Sequence, residues 1–123
     1  MSQSVRDARP YVIWPVTIPS GASICPTGIS MAGYKHAAFL VPSGSNYSML
    51  TFQGSIDNVN FYNLQMDGVE VQQIASANVL TVADQFLTAF STVNFLTVRA
   101  GTSALPIVQT GSAGSTIQVL MSV

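Results

Sequence analysis

Apolar and polar residues alternate with period two along much of this chain. "NYSMLTFQGS" (46–55) is the clearest stretch: Leu50, Phe52 and Gly54 fall on one side of a strand, and Thr51, Gln53 and Ser55 on the other. In "STIQVLMSV" (115–123), Ile117, Val119 and Met121 share one face. "YVIWPVTIP" (11–19) is rich in β-branched and aromatic residues, but Pro15 and Pro19 remove ladder donors, which predicts an edge or bulged strand. "HAAFLVP" (36–42) is a continuous apolar run and predicts a strand covered on both faces. Further strands are predicted at "VNFYNLQ" (59–65), "VEVQQIA" (69–75), "NVLTV" (78–82) and "NFLTVRA" (94–100), the last with Phe95, Thr97 and Arg99 on one face. Between them, "SGASICPTGIS" (20–30) is punctuated by Gly21, Pro26 and Gly28 and predicts loop with a short strand.

Two segments depart from this period. "ADQFLTAFS" (83–91) places Phe86, Leu87 and Phe90 at helical spacing, with Asp84 as N-cap, and predicts one short helical turn. "MSQSVRDARP" (1–10) has neither period and predicts a flexible arm ending at the proline. The expected fold class is therefore all-β: one domain over 11–123, a sandwich or barrel of many short strands, behind an arm at 1–10. No run of about 20 apolar residues is present to span a bilayer, and the polar, Arg-bearing start does not resemble a signal peptide.

Composition sharpens the expectation about partners. Only 7% of the residues are charged, against about 25% in an average domain. Polarity comes instead from 15 Ser, 10 Thr, 6 Asn and 8 Gln, and mean hydropathy is +0.41. With a net charge of −1, little electrostatic repulsion keeps copies apart. Such a surface fits a protein that self-associates or docks on a large assembly. Four basic residues are too few for a phosphate-neutralising patch, so nucleic acid is not an expected partner. The single cysteine excludes an intrachain disulfide.

Candidate chemistry is sparse. Cys25 and His36 are the only residues of their kind, Cys25 precedes a proline in a polar loop, and a nucleophilic pair is not expected. One Cys and one His cannot supply a zinc set. Paired carboxylates would have to come from Asp57, Asp67, Glu70 and Asp84, which are scattered. "GSAGS" (111–115) lacks the lysine and helix of a phosphate loop and predicts a hairpin connection. No catalytic, metal or cofactor site is expected. "FQGSIDNVNFYNL" (52–64) gathers Asp57, Asn58, Asn60 and Asn63 but not at the spacing of a calcium loop. Asp57-Asn58 and Asp67-Gly68 instead carry the residues of tight hairpin turns.

With Phe52, Ser55, Asp57, Phe61, Leu96, Val98, Arg99, Gly101 and Thr102 in this order, residues 16–123 resemble a group of small tailed-phage virion proteins. Two positions depart from that pattern: Asn58 stands in place of a common Gly, and Ala100 in place of a common Ser. The resemblance implies a single antiparallel β-sandwich, jelly-roll-like, and a capsid decoration, or cement, protein. It would clamp neighbouring major capsid subunits on the virion exterior, stabilise the expanded shell, act as a homotrimer and be made in the host cytoplasm. Interface candidates are Arg6 and Arg9 of the arm and the aromatics Tyr11, Trp14, Tyr34 and Tyr47, read as exposed anchors, with simple core packing as the alternative for each aromatic. Arg99 is expected to be a structural, stacked or carboxylate-paired residue, with Asp57 or Asp84 as partner. The same strand pattern is also similar to carbohydrate-binding modules and discoidin-like domains. The alternative is thus a phage tail or fibre component that binds glycan through Trp14 or tyrosines.

Overall fold

The structure is a computed structural model that describes residues 11–31, 34, 36–82, 93–110 and 114–122. The predicted arm at 1–10, with Arg6 and Arg9, and the predicted helical turn at 83–91 lie outside the described residues. Those described form eleven strands and no helix. They are β1 (Tyr11–Ile18), β2 (Ile29–Ser30), β3 (His36–Leu40), β4 (Met49–Ser55), β5 (Tyr62–Asn63), β6 (Gln65–Met66), β7 (Val69–Glu70), β8 (Gln72–Ile74), β9 (Leu80–Val82), β10 (Phe95–Ala100) and β11 (Ser115–Ser122).

The chain pairs outside-in. β1 pairs β11, β2 pairs β10, β3 pairs β9 and β4 pairs β8, all antiparallel, as in one long ribbon doubled back on itself. Two further pairings, β11 with β3 and β10 with β4, roll that ribbon into two sheets. One has the order β1-β11-β3-β9; the other runs β2-β10-β4, with the far edge of β4 shared by β5 and β8. This is a jelly roll, a closed answer to the problem of covering two amphipathic sheets with one short chain. β6 and β7 form a small hairpin in the excursion between β4 and β8. The proline-bearing β1 is an edge strand, as its missing donors require.

The core lies between the sheets. β1 contributes Val16 and Ile18, β3 Ala37 and Phe39, and β11 Ile117, Val119 and Met121; opposite them stand Leu50 and Phe52 of β4 and Leu96, Val98 and Ala100 of β10, all buried. Phe39 and Phe52 meet across the two sheets, ring centroids 5.6 Å apart at 36°. Each large aromatic buried in this way stabilises the fold by roughly 1.5–3 kcal/mol through removal of apolar surface from water.

Two strand-level expectations need correction. β3 is not covered on both faces: Ala37 and Phe39 are buried, but Ala38 and Leu40 are only half-buried and His36 is exposed. Asp57-Asn58 is not a two-residue turn. The nearest paired residues are Gly54 and Tyr62, leaving a seven-residue loop, because Asp57 bonds its own neighbours instead of closing a ladder. Asn58 does adopt the left-handed region, at φ 60°. The outward Thr51 and Ser55 of β4 are buried. The Asp67-Gly68 turn follows expectation. Met66 pairs Val69 across it, and φ values of 55° and 79° give the doubly left-handed hairpin that Gly tolerates best.

Candidate functional site

The polar groups of this molecule concentrate outside the core, on the outer face of the β4 sheet and in the loops beside it. Arg99 and Thr97 project from that face on β10, and both are buried. Thr97 donates its hydroxyl to the Cys25 carbonyl at 2.6 Å. Arg99 is the only Lys or Arg among the described residues. Its guanidinium meets Glu70 Oε2 at 3.3 Å and donates to Asn63 Oδ1 at 2.6 Å. Asn63 Oδ1 also accepts from Gln53 Nε2 at 3.1 Å, and the Glu70 carboxylate accepts the Ser103 N–H at 3.2 Å. β5 carries Asn63 and β7 carries Glu70, so one cation ties the excursion down onto the sheet. The carboxylate pairing of Arg99 thus follows expectation, but the partner is Glu70; Asp57 is engaged elsewhere and Asp84 lies outside the described residues.

Asp57 organises the 56–61 loop. Oδ1 accepts the backbone N–H groups of Val59 and Asn60, both at 2.9 Å, and the Ser55 hydroxyl at 3.0 Å. Oδ2 accepts Asn60 Nδ2 at 3.0 Å. Ser55 Oγ in turn accepts the Asn58 N–H at 2.9 Å. Donation from the Asn60 N–H, then from Val59 N–H, the Ser55 hydroxyl and the Asn60 amide, holds the Asp57 carboxyl well below the usual carboxylate range. The Asp57 carboxylate therefore serves its own loop, and Asn63 serves Arg99 and Gln53. What the loop displays is apolar: Ile56 and Val59 are 78% and 75% exposed.

The aromatic candidates separate. Tyr11 opens β1 opposite Ser122. Trp14 lies opposite Val119 at the open edge of the sandwich and is partly exposed. Tyr34 is half-buried against the core. Tyr47 is buried, contrary to its expected exposure, because its hydroxyl reaches Ser115 Oγ at 2.6 Å. Tyr62 was not among the candidates and is 69% exposed. Its place in "VNFYNLQ" gave no signal, since strand periodicity does not say which face a partner covers.

An open cleft of about 250 Å³ lies where the β3–β4 loop, from Pro42 to Asn46, faces Gln109–Thr110 and Gly114–Thr116. Its lining is hydroxyl, amide and backbone, and Ser45 and Asn46 donate to the Pro42 and Val108 carbonyls. Among the described residues no aromatic ring lines it. The free thiol of Cys25 is buried beside Thr27, in a segment hydrogen-bonded to β10, whereas His36 is exposed on β3 in the other sheet. Among the described residues no group of three His, Cys, Asp or Glu could hold a metal ion, and no helix is long and apolar enough to cross a membrane.

No protein-family profile matches the chain, and no curated protein matches it in sequence. Among solved structures, the fold is similar to that of the SPBc2 prophage-derived protein YomS, with a TM-score of 0.55. The likeness covers 98% of this chain and 100% of that one, at 10% identity, and is one of fold.

Proposed function

We propose that this protein is a phage virion structural protein of the cement type: a clip that binds neighbouring major capsid subunits on the shell exterior and stabilises the expanded lattice. The observation that carries this reading is the end-to-end fold likeness to a prophage-derived protein, in a chain whose exposed surface holds Ile56, Val59, Tyr62 and other large apolar groups but few charges. The loop held by Asp57 offers Ile56 and Val59 on a backbone that is already ordered, which lowers the entropy lost on docking. Binding only to the assembled, expanded shell would stabilise that shell by mass action. Repetition on a symmetric lattice would add avidity to modest single contacts. The partners in this reading are the major capsid protein and further copies of the chain, as a homotrimer, with no nucleic acid or membrane.

The test is to add purified protein to undecorated expanded capsids. Saturable binding, with a raised shell-disruption temperature, is expected. Absence of binding to shells would overturn the reading. The polar cleft beside Ser43–Asn46 favours a second reading, a tail or fibre module that binds glycan. Selective retention on a glycan array without shell binding would establish that reading in place of the first.

A further inference from the structure

We propose that the outer face of the β1-β11-β3-β9 sheet packs against a second copy of this chain. The face is read directly from the register. Ile13, Leu120, Ala38 and Val82 stand opposite one another in one row across all four strands. Pro15, Gln118, Leu40 and Leu80 form the next row. Directly opposed residues of antiparallel strands project to the same side. The alternate rows, through Val119 and Phe39, are the buried core, so these two rows face away from it. Ile13, Leu80 and Val82 are 53%, 53% and 58% exposed, and Leu120, Ala38 and Leu40 are half-buried only by their neighbours in the sheet. Seven of these eight side chains are apolar.

Three observations select a second copy as the occupant. The first is β3 itself: its run "HAAFL" has the composition of a strand covered on both faces, yet the described residues cover only one. The second is charge. None of the described residues on the face is Lys, Arg, Asp or Glu; Thr17, Thr116, Ser122 and His36 form its polar rim. A copy of the same face is equally uncharged and shares the same twist, so two such faces meet without stripping water from ions and at the spacing of packed sheets. The third is area. Four strands about 4.8 Å apart and a span of about 20 Å along β1 give a flat footprint of about 400 Å². Pleat and side chains raise the accessible area above that projection, toward the ~800 Å² per partner of a standard interface.

The experiment is sedimentation equilibrium of the full chain over a hundredfold concentration range. Wild type is expected to be a dimer or a multiple of two, because a face that packs on its own copy pairs chains two by two. Leu80→Lys and Val82→Lys place a charge on positions that are open in the single chain, so folding survives. Each is expected to weaken association at least tenfold, about 1.4 kcal/mol, with an unchanged circular dichroism spectrum. Leu105→Lys, at an exposed residue in the loop after β10, is the control and should leave the mass unchanged. A monomeric wild type, full association in both face variants, or equal dissociation by Leu105→Lys would overturn the proposal. So would a wild-type monomer that associates only after removal of residues 1–10, since the chain's own arm would then be the cover. Shell binding is measured separately, so this proposal and the cement reading can fail independently.

Discussion

Arg99 and Glu70 provide the sharpest test of how the excursion between β4 and β8 is held. Their nearest charged atoms are 3.3 Å apart, and the side chains are 7% and 14% exposed. At an effective dielectric constant of about 20, two unit charges at that distance attract by about 5 kcal/mol, before the desolvation that offsets much of it. Arg99→Met removes the cation and leaves the Glu70 carboxylate buried, with only the Ser103 N–H as a donor. That should cost about 3–5 kcal/mol. Glu70→Gln keeps the shape and one acceptor oxygen but leaves the guanidinium without its counter-charge, at about 2–3 kcal/mol. In the double variant neither ion is stranded. It should therefore be less damaging than the two single costs added together, by a coupling of about 1–3 kcal/mol. Urea unfolding monitored by fluorescence, at constant slope, reads each value. Additivity within about 0.5 kcal/mol would refute the argument, because it would mean that the two groups do not sense each other.

The remaining predictions concern single sites. Asp57→Ala should speed hydrogen exchange at the Val59 and Asn60 amides while leaving β10 protected, because the carboxylate caps those two N–H groups. Since the folded carboxyl is depressed below its unfolded value of about 3.9, its contribution is complete above that pH and disappears only as pH falls through the strongly acid range. Loop protection factors, which divide out the intrinsic pH dependence of exchange, should therefore be flat from neutrality to about pH 4; loosening near neutral pH would refute it. Gly101→Ala should destabilise the protein by at least about 2 kcal/mol in the same urea assay. Gly101 sits at φ 86°, and an added Cβ would lie 2.5 Å from the Leu105 carbonyl oxygen. Gln73→Leu should be neutral or stabilising by about 1 kcal/mol. The Gln73 side chain is buried opposite Leu50, and its Oε1 has no hydrogen-bond partner.

Local chemistry was legible in the sequence; long-range pairing was not. Asp67-Gly68 could be placed as a turn because two left-handed residues suffice to make one. The alternation of Leu50 and Phe52 located the core face of β4 correctly. The same pattern put Thr51 and Ser55 on the opposite face but did not reveal their burial, because alternation says which side chains share a face and not what lies over that face. Here the excursion lies over it, held by the Asn63 and Glu70 contacts to Arg99, at separations of 36 and 29 residues. Tyr47 was misplaced for a related reason. Its hydroxyl is satisfied by Ser115, 68 residues away, so an aromatic in a polar loop could be buried. The outside-in pairing of β1 with β11 and β2 with β10 leaves no local trace at all. Asp57 does form a turn, but its use as an internal cap lengthened the loop that two turn-forming residues had implied.

The two outer faces of the sandwich invert the usual arrangement. An isolated sandwich covers apolar faces and leaves polar ones to water. In this chain the polar outer face of β10, with Thr97 and Arg99, is covered by the chain itself, while the rows through Ile13 and Leu80 remain open. The covered polar face requires a full set of partners, and the network from Gln53 through Asn63, Arg99 and Glu70 to Ser103 supplies them. The open apolar face has no such requirement; removal from water is enough to stabilise it. A polar network fixes geometry and an apolar face does not, so the chain spends its own segments where geometry must be fixed. It leaves to another molecule the face that any flat, uncharged surface of matching twist can cover. In the proposed cement role, with many copies on one lattice, the nearest such surface is its own.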